Sequence, residues 1–147
     1  MQERLFETRL TKYQRRAAAK CLKEYFTLPS IIASKTAMAE AAATKMTPGY
    51  VPSEVQTHQA PSSKVERYTM VMDEVKYLET RYDILCRIHD EMIDDRLREF
   101  WELAYDPRFY RTHQVIKEMM AIGSNEQFYG IKNKLLGIVH EHFGDGY

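Results

Sequence analysis

Between Thr112 and Leu136 the chain reads as helix, tight turn, helix, and this stretch limits the possible folds more than any other. Val115, Ile116, Met119 and Met120 recur at three- and four-residue steps and give the first helix an apolar face, with Thr112 as its N-cap. Gly123 sits where the chain must reverse, and glycine tolerates the left-handed backbone in which helices often end. Ser124 caps the second helix, and Gln127, three residues on, completes a capping box. Phe128, Ile131, Leu135 and Ile138 then share one arc, which is expected to pack on the preceding helices. Two helices joined in this way have the layout of a helix-turn-helix, whose second helix can enter the major groove of DNA.

The opposite arc of that second helix carries Glu126, Tyr129, Gly130, Asn133 and Gly137, flanked by Asn125 and Lys134. An asparagine can bond an adenine edge through two hydrogen bonds, and a tyrosine can reach base or phosphate. Lys132, Lys134, Arg108 and Arg111 are candidates for holding phosphates. A helical hairpin turning at Gly-Ser also occurs in α proteins that touch no nucleic acid, so a helical scaffold without DNA contact stands beside the DNA reading.

The remainder of the chain is patterned for helix as well. In residues 8–26, Leu10, Tyr13, Ala17, Cys21, Leu22 and Tyr25 recur at helical steps, and basic side chains fill much of the rest. Pro29 is expected to interrupt, and Ser30 to cap an alanine-rich helix through about Thr44. Residues 47–61 hold Pro48, Gly49, Pro52 and Pro61 among polar residues and read as a linker. Ser63-Lys64-Val65-Glu66 is a capping box that predicts the start of a long helix. Val65, Tyr68, Met72, Val75, Leu78, Tyr82, Leu85, Ile88 and Met92 form its apolar stripe, which suits either packing within the domain or a dimerising helix. A further helix is expected over 95–105, ended by Asp106-Pro107. With no convincing strand alternation, the expected fold is all-α, with an N-terminal helical arm (1–46), a Pro/Ser-rich linker (47–62) and a C-terminal helix-turn-helix domain (63–147).

Charge complicates the DNA reading, because the formal net charge is zero and nucleic-acid affinity rests largely on neutralising phosphates. The distribution is uneven. Residues 1–25 carry seven basic and three acidic groups, whereas 65–102 carry six basic and eleven acidic. Cys21 and Cys86 form no CxxC pair and read as reduced thiols, with Cys86 expected in the core. No apolar run approaches the ~20 residues of a membrane span, and the start lacks the apolar segment of a secretory signal. The expectation is a cytoplasmic protein without membrane contact.

Enzyme chemistry finds little footing. His89-Asp90 matches the two-residue signature of metal-dependent phosphohydrolases, but that chemistry needs further ligands around the pair, and His113, His140 and His142 stand in no spacing that assembles them. Asp94-Asp95 beside Glu91 reads as a solvated acidic face, and Phe100 and Trp101 as core anchors. There is no Gly-rich phosphate loop and no nucleophile elbow. The expectation is a non-enzyme without cofactor or metal.

The basic start Lys12-Tyr13-Gln14-Arg15-Arg16 with Leu22-Lys23-Glu24-Tyr25, the connector 47–63, the helix opened by Val65-Glu66, Leu78-Glu79-Thr80-Arg81-Tyr82, the helix around Leu97–Tyr105 and the terminal helix-turn-helix together form a pattern. It resembles the phage and prophage late-gene transcriptional regulators of the ArpU/RinA/LtrC type. That resemblance implies a C-terminal domain similar to sigma-factor region 4, binding double-stranded DNA through the helix that starts at Ser124. It also brings in RNA polymerase and a second copy of the chain as candidate partners. In the recognition helix, Phe128-Tyr129, the lysines and Leu135-Leu136 match the family, while Gly130 stands where an arginine is expected and Glu126 replaces a hydroxyl residue. The alternative is an oligomeric helical assembly protein, including a phage DNA-packaging subunit, with a degenerate helix-turn-helix.

Overall fold

The computed structural model describes residues 10–46 and 60–144, and among these there are α-helices, one π-helical turn and no strand. The chain is all-α. The helices are α1 (Lys12–Met46), α2 (Ala60–Arg87), α3 (Asp95–Tyr105), α4 (His113–Met119) and α5 (Asn125–Phe143), with the π-turn Ile88–Met92 directly after α2. No helix among the described residues is long and apolar enough to cross a membrane. The described residues fall into two compact units: one takes the chain up to Phe26 and from Asp83 onward, the other is Thr27–Tyr82.

α1 opens on a capping box that the sequence reading passed over. The Gln14 amide N–H donates to Thr11 Oγ1 (3.1 Å) and the Thr11 N–H to Gln14 Oε1 (2.9 Å), so this helix starts at Lys12; residues 8 and 9 of the expected helical stretch lie outside those described. Pro29 does not break it, and Ser30 is not a cap: one helix runs from Lys12 to Met46 with Pro29 inside. A proline in a helix interior costs about 3 kcal/mol through its missing N–H and its crowding of the preceding turn. Burial of Cys21, Leu22 and Leu28 before it and of Ala39 after it offsets that cost.

α2 likewise begins earlier than its capping box suggests. It starts at Ala60, so residues 60–62 of the expected linker are helical and Ser63 lies within the helix. Pro61 falls in the first turn, where a missing N–H removes no intrahelical bond. The expected linker's remaining residues, 47–59, lie outside those described. Along the long apolar stripe, Val75, Leu85 and Ile88 are buried and Tyr68, Met72, Leu78 and Tyr82 half-buried, so most of the stripe faces the protein's own helices. Its two ends, Val65 and Met92, are exposed.

The larger unit is closed around aromatic side chains. Trp101 and Phe100 of α3, Phe128, Leu135 and Val139 of α5, Ile116 of α4 and Leu22 of α1 are all buried. The N-terminal part of α1 is built into this core: the Trp101 indole N–H donates to the Leu22 carbonyl at 2.8 Å, fully buried. The cysteine buried in the core is Cys21, while Cys86, expected there, is only half-buried. The chain leaves α2 through the π-turn, whose end is held by Arg98 of α3. Its guanidinium donates to the carbonyls of His89 (2.7 Å), Asp90 (3.2 Å) and Ile93 (3.2 Å), satisfying acceptors that a helix end leaves open. Asp94 then caps α3, accepting the Leu97 N–H at 2.8 Å.

Candidate nucleic-acid interface

The helix-turn-helix segment is positioned by its caps. Thr112 Oγ1 accepts the Val115 N–H at 3.3 Å to open α4, and Ser124 Oγ accepts the Gln127 N–H at 3.2 Å to open α5. The Gln127 side chain reaches one residue further back than in a capping box, taking the Gly123 N–H at 3.1 Å. The left-handed residue of the turn is Ala121 (φ 55°), not Gly123. The Ile122 N–H donates to the Lys117 carbonyl (2.7 Å) and the Ala121 N–H to that of Glu118 (3.3 Å). This is the pair of bonds of a Schellman motif, with alanine where glycine is usual. Buried Ile122 anchors the turn to the core. At its far end α5 stops at Gly144, whose backbone (φ 62°, ψ −147°) is essentially open only to glycine.

These caps fix which face of α5 is covered. Phe128, Leu135, Leu136 and Val139 are buried, and Ile131 and Ile138 half-buried. Phe128 meets Phe100 of α3 edge-on at 5.3 Å, and His113 of α4 at 4.7 Å. The other face leaves Asn125, Glu126, Tyr129, Gly130 and Lys134 exposed and Lys132 and Asn133 half-buried. Asn125 Oδ1 accepts from Lys117 Nζ at 2.7 Å, which ties the first residue of α5 to α4. Lys132 Nζ lies 5.9 Å from the centre of the Tyr129 ring. Gly130 borders a shallow open groove between the start of α3 and α5, shared with Asp94, Arg96, Leu97, Ile131 and Lys134. A methyl group at Gly130 would meet nothing within 4 Å.

Arg108 and Arg111 stand apart from α5 in sequence, in the segment between α3 and α4, and each has an internal partner. Arg108 grips the buried carboxylate of Asp106 with Nη2 at 2.7 Å and Nε at 3.0 and 3.2 Å. That hydrogen bonding holds the Asp106 carboxyl below the usual carboxylate range, against the opposing effect of burial. Arg111 Nη1 donates to the Leu103 carbonyl (3.1 Å) and its guanidinium lies 4.9 Å from the Phe109 ring centre. Phe109 and Tyr110 are exposed beside them.

Sequence reasoning missed a second polar cluster in the same unit. His89 is buried, with Nδ1 2.7 Å from Asp90 Oδ1 and Nε2 3.1 Å from Glu102 Oε1. Its ring stacks on Tyr25 at 4.5 Å and meets Trp101 edge-on at 5.1 Å. The Tyr25 phenol is raised above its ordinary range, mainly by burial and next by the Asp90 charge. The two carboxylates join His89 to α3 and to its own turn. Among the described residues no three His, Cys, Asp or Glu side chains gather as a metal site would need. The His89-Asp90 dipeptide was visible in the sequence, but its true neighbours, Tyr25 and Glu102, come from elsewhere in the chain.

The first part of α1 adds positive charge to this unit. Lys12, Arg15, Arg16, Lys20 and Lys23 are all exposed, while Ala18, Cys21 and Leu22 on the other side are buried. Compared with known proteins, the chain matches no protein family, no curated protein and no solved structure.

Proposed function

We propose that the protein is a DNA-binding transcriptional regulator of phage or prophage type, presenting the exposed side of α5 to the duplex. The observation that carries the reading is the pair of capped helices α4 and α5, whose outward side bears Asn125, Tyr129 and Gly130 in the first two turns of α5 and half-buried Asn133 in the third. Asn133 and Asn125 supply base-edge chemistry, Tyr129 and Lys134 phosphate contacts, and Lys132 charge beside Tyr129. Arg108 and Arg111 act there as phosphate contacts only with what their internal bonds leave free. The basic side of α1 in the same compact unit supplies phosphate-neutralising charge that α5 lacks. The readout is fluorescence anisotropy with a labelled duplex across a salt series. Affinity should fall steeply as salt rises, and the Tyr129→Ala, Asn133→Ala double variant should bind more weakly. No retention at low salt defeats the reading.

A second reading is favoured by one feature. Val115 and Met119, four residues apart on α4, are exposed on the same side of that helix, which suits a protein partner rather than a phosphate backbone. It makes the chain an oligomeric helical assembly protein, with a DNA-packaging subunit as one form. A stable assembly that retains no duplex, and that Met119→Lys disrupts, selects it.

A further inference from the structure

The described residues of the unit Thr27–Tyr82 form two helix segments with a thin core, whose buried apolar side chains are Leu28, Ala39 and Val75. Two helices side by side cannot enclose a core, and helices in water take most of their stability from packing an apolar face. The segments are joined by an ion pair, Lys35 Nζ to Glu74 Oε1 at 3.0 Å. Each member of the pair is bracketed along its own helix by large apolar side chains that remain in water. Ile31 and Met38 lie four residues before and three after Lys35, and are 40% and 70% exposed. Met70 and Tyr77 hold the same positions about Glu74, and are 70% and 56% exposed. Residues three and four apart share a helix face, so the ion pair and the four apolar residues form one surface.

We infer that this surface is a self-association face: a second copy of the chain docks on it to complete a four-helix bundle. The choice of occupant follows from charge. At its centre the face carries the Lys35–Glu74 pair, and the exposed Glu66 and Asp73, four before and three after Met70, lie beside it, so it offers no net attraction to a phosphate backbone or an anionic membrane. It is complementary to itself. A twofold axis through it sets Lys35 of each copy beside Glu74 of the other and apolar residues against apolar residues, the arrangement of an isologous dimer. Methionine and tyrosine are also among the side chains enriched at interfaces. This surface differs from the long apolar stripe of α2, which faces inward, and the inference stands independently of the DNA reading.

Sedimentation velocity on the full chain across the micromolar range tests it. The expected result is a dimer that the Met38→Asp, Tyr77→Asp double variant weakens by about a hundredfold, with helical content kept by circular dichroism. If that variant loses its helices, a mixing experiment decides. Lys35→Glu and Glu74→Lys each place like charges across the dimer and should sediment as monomers, while a one-to-one mixture of the two chains should restore the dimer. Within each single chain the mixture leaves like charges facing one another, so only contact between copies explains the rescue. A monomeric parent protein, an unaffected dimer in the folded double variant, or no rescue on mixing overturns the inference.

Discussion

The two compact units solve the problem of burial in different ways. In the larger one, Trp101, Phe100, Leu135 and Val139 are wholly excluded from water, and aromatic contacts run from Tyr105 through Phe100 and Phe128 to Tyr129. In Thr27–Tyr82 the large side chains Met38, Met70 and Tyr77 are mostly in water, and Tyr68, Met72 and Tyr82 are only half-buried. Side-chain size separates them in part, since among the described residues every phenylalanine and the one tryptophan fall in the first unit and an alanine-rich stretch in the second. The number of elements separates them further: among the described residues, α3, α4, α5, a π-turn and the ends of two long helices can surround a core, and two helix segments side by side cannot. The first unit is therefore complete in one chain, and the second presents a face that another surface can complete.

Core truncations test that contrast most severely. Trp101→Ala removes the centre of the aromatic cluster and the hydrogen bond to Leu22, and should cost about 3–5 kcal/mol in chemical denaturation. Loss of the same size from Ile31→Ala would break the comparison. Next come two leucines of equal chemistry. Leu135→Ala, in the enclosed core, belongs at the upper end of the range of about 2–5 kcal/mol for such changes, and Leu28→Ala at the lower end, because a thin core collapses more easily around the gap. Equal costs for the two would show that the second unit is packed as tightly as the first.

What the sequence made legible follows from the range of the forces involved. The caps at Thr112 and Ser124 and the span of α3, ended at Asp106-Pro107, were readable because each depends on residues within one helical turn. The interruption expected at Pro29 failed because packing of residues on both sides outweighs a local penalty. The helix start expected at Ser63 failed because a favourable motif does not forbid an earlier start. The docking of Trp101 on Leu22, 79 residues away, and the clamp of Arg98 on the π-turn carry no periodic signal at all. On α5, the covered arc could be drawn from spacing, although Leu136 and Val139 replace Ile131 and Ile138 as its most buried members. The bond from Arg111 to the Leu103 carbonyl could not, since it depends on how the segment after α3 folds back, while the Arg108–Asp106 pair, two residues apart, is local but carries no periodic signal.

The reversal between α4 and α5 gives a smaller test of how far the closed unit overrides local preference. Ala121 takes a left-handed backbone that costs an L-residue about 1–2 kcal/mol, and in that geometry Ile122 is buried and the Lys117 and Glu118 carbonyls each accept a hydrogen bond. Ala121→Gly should relieve the strain and raise stability by about 1 kcal/mol, read as a higher thermal midpoint. A lower midpoint would mean that the alanine methyl group contributes packing the turn depends on.

The smallest effect is expected on the open side of α5, where a fold effect and a binding effect separate. Gly130 lies in a helix interior, where glycine is less favourable than alanine by about 0.5–1 kcal/mol, and an added methyl group meets no neighbour within 4 Å. Gly130→Ala should therefore stabilise the isolated protein by that amount. If α5 faces a duplex, the same methyl group stands where backbone and DNA approach each other, and affinity should fall while the thermal midpoint rises. Truncation at a buried position moves both quantities down together, so opposed signs are the mark of an external surface. A higher midpoint with unchanged duplex affinity would remove Gly130 from the interface and shift the search to the basic side of α1, where Arg15→Ala, Arg16→Ala should then lower the salt dependence of binding.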